Sequence, residues 1–181
     1  MFVILTIPRR IKLAELTKES LISVGVDEKD IEIIFGYDKL DFPDMNKPYL
    51  LVTSGFFNFI LTRIIFEKKA CYYVECGTMF KENPFNIDID KTKINWLGYL
   101  FSNKSYICGV KCVYIPVAVA EDMMKNKPKR LAHLDRFLRN YGLKKNCLLV
   151  AKSSIIGQFD YESSWGTPTQ IERKKKIKYN L

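Results

Sequence analysis

The sequence predicts a single α/β domain with a mixed, mainly parallel sheet flanked by helices. Short apolar runs rich in β-branched and aromatic residues alternate with longer segments of helical periodicity in the first half of the chain. The connections between them are short, and a strand–helix–strand order of this kind favours parallel pairing. The 181 residues fit one domain, and 48% hydrophobic residues are enough to fill one sizeable core.

The first unit of this pattern lies near the N-terminus. Residues 2–6 (FVILT) predict a strand that is stopped by Pro8. Residues 12–24 carry apolar side chains on roughly one helical face, and Gly25 is suited to end that helix. Residues 30–36 then predict a second strand, which is followed by a polar turn at Tyr37 and Asp38.

The later elements are predicted from the same signals. Ser54 is expected to cap a helix that runs to about Lys68 and is buried on nearly every side. The remaining predictions are a strand that ends at Glu75, an antiparallel pair over residues 94–101 and 106–115, a helix from Pro116 to Met124, a helix over 131–141 ended by Gly142, and a strand over 147–150.

Glu75 is the first candidate functional residue. It closes a buried strand and is followed directly by Cys76 and Gly77. Ligands of open α/β sheets bind at the carboxyl ends of the strands, although a carboxylate that closes a strand is also ordinary loop chemistry. Arg9 and Arg10 follow the first strand at the same predicted edge, where two guanidinium groups can clamp a phosphate or remain solvated loop charges.

The net charge of +9 is distributed unevenly along the chain. Residues 1–90 carry 11 Lys and Arg against 14 Asp and Glu, whereas residues 91–181 carry 18 against 6. A basic C-terminal half predicts a polyanionic partner such as nucleic acid, a phosphorylated glycan or an acidic surface. The alternative is a solvated tail that serves solubility.

Several classes of protein are disfavoured. No apolar run reaches the roughly 18 residues of a membrane-spanning helix. The first ten residues place the apolar side chains before the basic ones, the reverse of a secretory signal. Five cysteines, mostly within apolar runs, indicate reduced thiols and a cytoplasmic protein. A single histidine, His133, argues against histidine-based metal sites.

Two weaker patterns add candidates. Asp88 and Asp90 lie one residue apart, and such a pair can chelate a divalent cation together with nucleotide phosphates. Similar triplets also arise by chance in turns. Ser163, Ser164 and Trp165 combine hydroxyl groups with an aromatic ring that can stack on a sugar or a base, or that can anchor a surface loop.

Taken in order, short segments over most of residues 2–166 resemble glycosyltransferase family 25, the lipopolysaccharide-type galactosyltransferases and their relatives. The segments that carry the resemblance are FVILTIPRR, IEIIFGYDKL, LVTSGFFNFILTRII, ACYYVECGTMF, INWLGYL, CGVKCVYIPVAVAEDMMK, HLDRFL and IIGQFDYESSW.

The resemblance implies a GT-A-like domain over residues 1–166, followed by a basic tail over residues 167–181. A nucleotide-sugar donor, a UDP-sugar, would lie over the strand ends. The donor-binding residues implied are Thr6, Arg9, Arg10, Asp38, Ser54 and Gln158. The acceptor-binding residues implied are His133, Ser163, Ser164 and Trp165.

The resemblance also implies catalytic roles. Glu75 would hold a metal ion or sugar hydroxyls, and Asp135 is the candidate base that takes the proton of the acceptor hydroxyl. The alternative role of Asp135 is to pair with Arg139 on one helix face.

The sequence departs from the family pattern at the metal site. Gly55 stands where the family has a histidine, and Cys76 and Gly77 stand where it has two aspartates. Dependence on Mn²⁺ or Mg²⁺ is therefore open, with Asp88 and Asp90 as substitute ligands.

The small size and the basic C-terminal half predict a viral or phage enzyme, active in the host cytoplasm. It would transfer a sugar to a polyanionic acceptor, either modified DNA bases or a glycan. The rival hypothesis is a catalytically degenerate GT-A-like protein that binds nucleic acid or a protein partner through its basic half.

Overall fold

The structure, a computed structural model, describes residues 1–46, 48–98, 101–103, 106–108, 110–127, 134–150 and 156–158. The helices within these ranges are α1 (Ile11–Ser23), α2 (Pro48–Glu67), α3 (Val117–Lys125) and α4 (Leu134–Lys144). The strands are β1 (Phe2–Thr6), β2 (Ile31–Phe35), β3 (Cys71–Glu75), β4 (Thr78–Phe80), β5 (Ile94–Gly98), β6 (Phe101–Asn103), β7 (Tyr106–Cys108), β8 (Cys112–Ile115), β9 (Leu148–Val150) and β10 (Ile156–Gln158).

The main sheet has six strands in the order β2-β1-β3-β8-β5-β9. Strand β1 pairs in parallel with both β2 and β3, and β5 pairs in parallel with β9. Strand β8 runs antiparallel to both of its neighbours, β3 and β5. The predicted α/β class, with a mixed and mainly parallel sheet flanked by helices, is confirmed.

Both faces of the main sheet are covered, which explains the continuous apolar runs of its central strands. In β1, Val3 and Leu5 pack into the core formed with α2, α3 and α4. Phe2 and Ile4 point to the opposite face, into the core that contains Ala14 of α1. This alternation assigns each side chain at the end of a central strand to one face or the other.

Helix α2 differs from the prediction in two ways. It begins at Pro48, so Ser54 lies inside the helix and does not cap it. The helix is also not buried on every side, because Phe59 is 49% exposed and Phe66 is 88% exposed. The packed side of α2 contacts the sheet and the helices α3 and α4, and Ile60 there is among the fully buried residues. Apolar composition alone does not distinguish a helix buried all round from one that leaves phenylalanines in solvent.

The predicted antiparallel pair is confirmed, but each of its long strands is divided in two. Strand β5 pairs with β8 in the main sheet, and β6 pairs with β7 in a separate two-stranded sheet. The register of β5 against β8 shifts between Trp96 and Gly98. An irregularity of this kind bends a strand, and here it marks the point where the pair leaves the main sheet.

A second small sheet, formed by β4 and β10, was not predicted. Each strand has three residues, too few to show a period. The pairing sets Gln158 opposite Thr78, three residues beyond Glu75. A segment from the C-terminal part of the chain is thereby brought next to the end of β3.

Gly142 does not end its helix as predicted, because α4 continues to Lys144. A Cβ atom at position 142 would lie 2.6 Å from the Cβ of Leu148 in β9. The absence of a side chain at Gly142 therefore allows α4 to pack closely against β9 of the sheet. Gly55 in α2 is the opposite case, because a Cβ atom there would meet nothing within 4 Å.

These two helical glycines give a matched prediction. Alanine is preferred over glycine inside a helix by about 1 kcal/mol, so Gly55→Ala should raise the free energy of unfolding by about that amount. Gly142→Ala should instead lower it by about 1–3 kcal/mol, because the overlap with Leu148 outweighs the helix preference. Urea unfolding of both variants measures the difference, and a stabilised Gly142→Ala protein would contradict the packing.

Candidate functional site at the carboxyl ends of the parallel strands

Strands β1, β2 and β3 are parallel, and their carboxyl ends lie side by side at one end of the main sheet; this end is called the edge below. Leu5 of β1 is in register with Ile34 of β2 and with Glu75 of β3. Polar residues follow each of these strand ends, as the sequence predicted for all three strands. We call the following group the strand-end site: Arg9, Arg10, Asp38, Glu75, Cys76 and Lys111.

An ion pair between Glu75 and Lys111 lies at the centre of the strand-end site. Because β8 runs against β3, the residue that precedes β8 lies beside the residue that ends β3. The Nζ atom of Lys111 is 2.7 Å from Oε2 of Glu75, and the Glu75 N–H donates to the Lys111 carbonyl at 3.0 Å. The lysine side chain is 4% exposed and the glutamate side chain 29%. A buried ammonium group needs such a partner to offset its lost hydration.

The turn after Glu75 is held by hydrogen bonds on both sides. The hydroxyl of Thr78 lies within hydrogen-bond distance of two carbonyl oxygens, that of Glu75 at 2.6 Å and that of Lys111 at 3.2 Å. The N–H of Gly77 donates to the hydroxyl of Thr17 in α1 at 2.9 Å. Gly77 has a φ of +88°, a left-handed conformation that favours glycine. The backbone that carries Glu75 is therefore firmly positioned.

Arg9 and Asp38 connect the ends of β1 and β2. The Arg9 guanidinium group forms an ion pair with the Asp38 carboxylate, in which Nη2 donates to Oδ1 at 3.1 Å. The hydrogen bond to Asp38 raises the pKa of Arg9. The Asp38 side chain is 11% exposed, whereas that of Arg9 is 44% exposed. Arg9 therefore binds Asp38 and still presents part of its surface to solvent.

Arg10 takes a different direction from Arg9. It is buried, and its Nη1 atom lies 4.0 Å from the Sγ atom of Cys76. Thr6, the last residue of β1, is also buried, and its hydroxyl donates to the carbonyl of Ile7 at 3.4 Å. Burial and the charge of Glu75 raise the pKa of the Cys76 thiol, although Arg10 opposes this, so the thiol is neutral at pH 7. The two arginines thus connect the strand ends separately and do not form the common clamp that their adjacency suggested.

Asp135 belongs to α4, the helix that packs on the same face of the sheet as Tyr73. It lies in the first turn of that helix. Burial, followed by the negative charges of Glu75 and Asp135, raises the pKa of Tyr73 well above its usual value. Tyr73 precedes Glu75 by two residues on the same face of β3. The negative charges of the two carboxylates predicted to be catalytic therefore both raise the pKa of one buried hydroxyl group, that of Tyr73.

The remaining predicted residues fall into three groups. Ser54 is half-buried in α2, and the backbone of Gln158 pairs with that of Thr78. Asp90 accepts hydrogen bonds from Thr92 just before β5, and Asp88 lies two residues earlier. His133, Ser163, Ser164, Trp165 and the tail over residues 167–181 lie outside the described residues.

Asp90 is not brought to the strand-end site. Asn95 of β5 and Tyr72 of β3 both pair with Tyr114 of β8, so β5 and β3 begin at the same edge. Asp90 precedes β5, and the five residues of β3 separate that edge from Glu75. At about 3.3 Å per residue this distance is roughly 15 Å. Asp90 therefore does not lie beside Glu75 and is not the substitute metal ligand that the sequence predicted there.

The described part of the site does not fit a divalent cation. Mg²⁺ and related ions need several oxygen ligands. Within the described residues, no group of three or more His, Cys, Asp and Glu side chains is placed to hold a metal ion. The Glu75 carboxylate is bound by Lys111, and the Asp38 carboxylate is bound by Arg9.

Lys111 is the site residue that sequence reasoning missed. It lies in the apolar run YICGVKCVYI, whose composition indicates only a strand. A lysine inside a buried strand region almost always has a partner of opposite charge. That signal was present in the sequence, but it does not say which carboxylate is the partner.

Comparison with known proteins leaves the resemblance as a prediction. Neither a protein-family model nor a curated protein sequence matches this chain. In the part of the chain that the structure describes, no helix combines the length and the apolar character needed to cross a membrane.

The Glu75–Lys111 pair gives a prediction about stability. Lys111→Met should lower the free energy of unfolding by about 3 kcal/mol, because it leaves a partly buried carboxylate without its cation. Adding Glu75→Gln to Lys111→Met should recover part of that loss, since the unpaired charge is then removed. Urea unfolding of the two single variants and the double variant measures this coupling.

Lys68→Met is the control, because Lys68 pairs with Glu121 at an exposed position. Its effect should stay below about 1 kcal/mol. Equal decreases in the free energy of unfolding for Lys68→Met and Lys111→Met would show that the buried ion pair stabilises the protein no more than the exposed one.

Proposed function

We propose that this protein is a glycosyltransferase that moves a sugar from a nucleotide-sugar donor to a hydroxyl acceptor. The observation that carries the proposal is that Arg9, Arg10 and Glu75 all lie where β1 and β3, two neighbouring parallel strands, have their carboxyl ends. This edge is where α/β sheets bind nucleotides. The mixed sheet with one reversed strand is consistent with the GT-A-like architecture that the resemblance implies.

The donor in this proposal is a UDP-sugar whose diphosphate lies beside Arg9. A guanidinium group binds phosphate oxygens with two parallel hydrogen bonds. Because Nε and Nη2 of Arg9 donate to Asp38, the phosphate would bind the edge formed by Nη1 and Nη2 of this partly exposed side chain. Positive charge there stabilises the diphosphate as it leaves the sugar. In this proposal Glu75, whose side chain is 29% exposed, would accept hydrogen bonds from sugar hydroxyls.

Asp135 is the proposed base for the transfer. It would take the proton of the acceptor hydroxyl while the hydroxyl oxygen forms a bond to the anomeric carbon. The bond from that carbon to the diphosphate oxygen breaks, and the nucleoside diphosphate leaves with the electron pair. The support is that α4, which carries Asp135, packs on the face of the sheet to which Tyr73 and, two residues later, Glu75 belong.

The acceptor in this proposal is polyanionic, and modified DNA bases are the first case to test. The support is the charge of the second half of the chain, with 18 Lys and Arg against 6 Asp and Glu. Such a surface binds phosphates through Lys and Arg and releases counterions. A phosphorylated glycan has the same kind of charge and is the alternative acceptor.

A second function, binding without catalysis, has its own support. At the strand-end site, Glu75 is paired with Lys111 and Asp38 with Arg9. Charges that already satisfy one another are typical of a structural network as well as of a pre-organised site. In this case the protein is a GT-A-like domain that binds nucleic acid or a protein partner through its basic half.

Thermal unfolding with UDP-sugars distinguishes the two functions. A donor at about 100 times its Kd should stabilise the protein by about 2.7 kcal/mol and raise the Tm by about 5 to 10 °C. Arg9→Ala should weaken donor binding about tenfold, because the guanidinium group no longer binds the diphosphate. Lys29→Ala is the matched control, since Lys29 is an exposed cation at the opposite edge of the sheet.

The measurement is made with each UDP-sugar, both in EDTA and with Mn²⁺ present. If no nucleotide-sugar raises the Tm under either condition, the transferase proposal fails and the binding function is favoured.

The salt dependence of DNA binding tests the acceptor. Binding through neutralised phosphates should weaken with salt, with a slope of about −0.9 per phosphate in a plot of log K against log salt concentration. Replacing Lys174, Lys175 and Lys176 by Gln should make the slope less steep by about 0.9 for each phosphate that is no longer neutralised. The control replaces Lys68 and Lys69, two lysines of the first half, by Gln. A binding constant that is insensitive to salt would exclude DNA, and the glycan would then be the acceptor to test.

A further inference from the structure

We infer that the Lys111 ammonium group takes the place of a divalent cation on Glu75, so that the protein binds a nucleoside diphosphate without a metal. The inference rests on the proposed function, because it concerns how that donor is bound. It goes further by assigning a role to Lys111, which neither the sequence patterns nor the resemblance assigned.

The Lys111 ammonium group lies on a carboxylate oxygen of Glu75 that a divalent metal ion at this site would also contact. Nζ of Lys111 is 2.7 Å from Oε2 of Glu75. Divalent cations contact carboxylate oxygens at about 2.0 to 2.6 Å. An ammonium group at this distance takes up one acceptor site of the carboxylate and would repel a metal ion bound beside it, so the two compete for the same negative charge.

Lys111 is held in that position by its surroundings. Its side chain is 4% exposed, and its carbonyl oxygen accepts the N–H of Glu75 at 3.0 Å. The next residue, Cys112, is fully buried in the sheet. To admit a metal, the ammonium group would have to leave its carboxylate while still buried, which is strongly unfavourable.

The presence of the Lys111 ammonium group in place of a metal ion affects how an anionic ligand binds. An unpaired Glu75 would repel a diphosphate at the strand ends, and Lys111 removes that repulsion by neutralising the carboxylate. Arg9, which is paired with Asp38 and is 44% exposed, is then the cation of the strand-end site that can contact the ligand from solvent. Lys111 is therefore a positioning residue, which fixes Glu75 and its charge without needing to touch the donor.

The test uses the wild-type protein, with Mn²⁺ alone and with UDP as probes. Electron paramagnetic resonance reports free Mn²⁺, and we expect the protein to leave the Mn²⁺ signal unchanged. Calorimetric titration with UDP should give the same Kd in EDTA and in Mn²⁺, within about twofold. A UDP affinity that rises tenfold or more with Mn²⁺, or Mn²⁺ binding that Glu75→Gln abolishes, would overturn the inference.

The second part of the test uses a variant in which Lys111 is replaced. In Lys111→Met, UDP binding in EDTA should weaken about tenfold, and Mn²⁺ should restore much of it, because the carboxylate is then open to a metal that the diphosphate also binds. Lys145→Met is the control, since Lys145 pairs with Asp122 between α3 and α4. Unchanged UDP affinity in a folded Lys111→Met protein would contradict the role assigned to Lys111.

The outcomes separate this inference from the proposed function. If UDP binds under no condition, the proposed donor site is wrong. The measurement with Mn²⁺ alone still decides whether the strand-end site accepts a metal. If Lys111→Met does not fold, the two wild-type measurements decide the question without it.

Discussion

The burial of one lysine constrains both the sheet and the site. Lys111 lies in an apolar run, and its ammonium group must meet a carboxylate because an unpaired charge is very unfavourable there. The pairing of Val74 with Cys112 brings Glu75 to that lysine. A register shift of one residue would turn the side chains of β8 to the wrong faces and break the ion pair. The reversed strand and the strand-end site therefore depend on each other.

The strand-end site is built across both faces of the sheet. Tyr73 and Glu75 belong to the face covered by α2, α3 and α4, where Asp135 also lies. Cys76 packs into the opposite core, with Arg10 beside it. A ligand over the strand ends would meet groups from both layers, which is the usual reason that such edges become binding sites.

The ion pairs of the strand-end site determine which ligands it is suited to bind. The carboxylates of Asp38 and Glu75 are each matched by a cation, Arg9 for Asp38 and Lys111 for Glu75. A matched network is rigid, because moving one member leaves its partner unsatisfied. Rigidity of this kind suits the binding of an anion to the partly exposed Arg9, and it leaves the described edge poorly suited to hold a metal ion.

The sequence by itself determined the local elements and the class of fold. The strand that ends at Glu75, the helix that ends before Gly25 and the strand–helix–strand order all follow from periodicity and turn residues, which report on a few neighbouring positions. It also predicted that Glu75 and the two arginines would lie at one edge. Only the tertiary structure decided that Lys111 is the partner of Glu75 and that Asp90 lies at the far edge. Those facts depend on the direction and register of strands that are distant in sequence, and no local pattern contains that information.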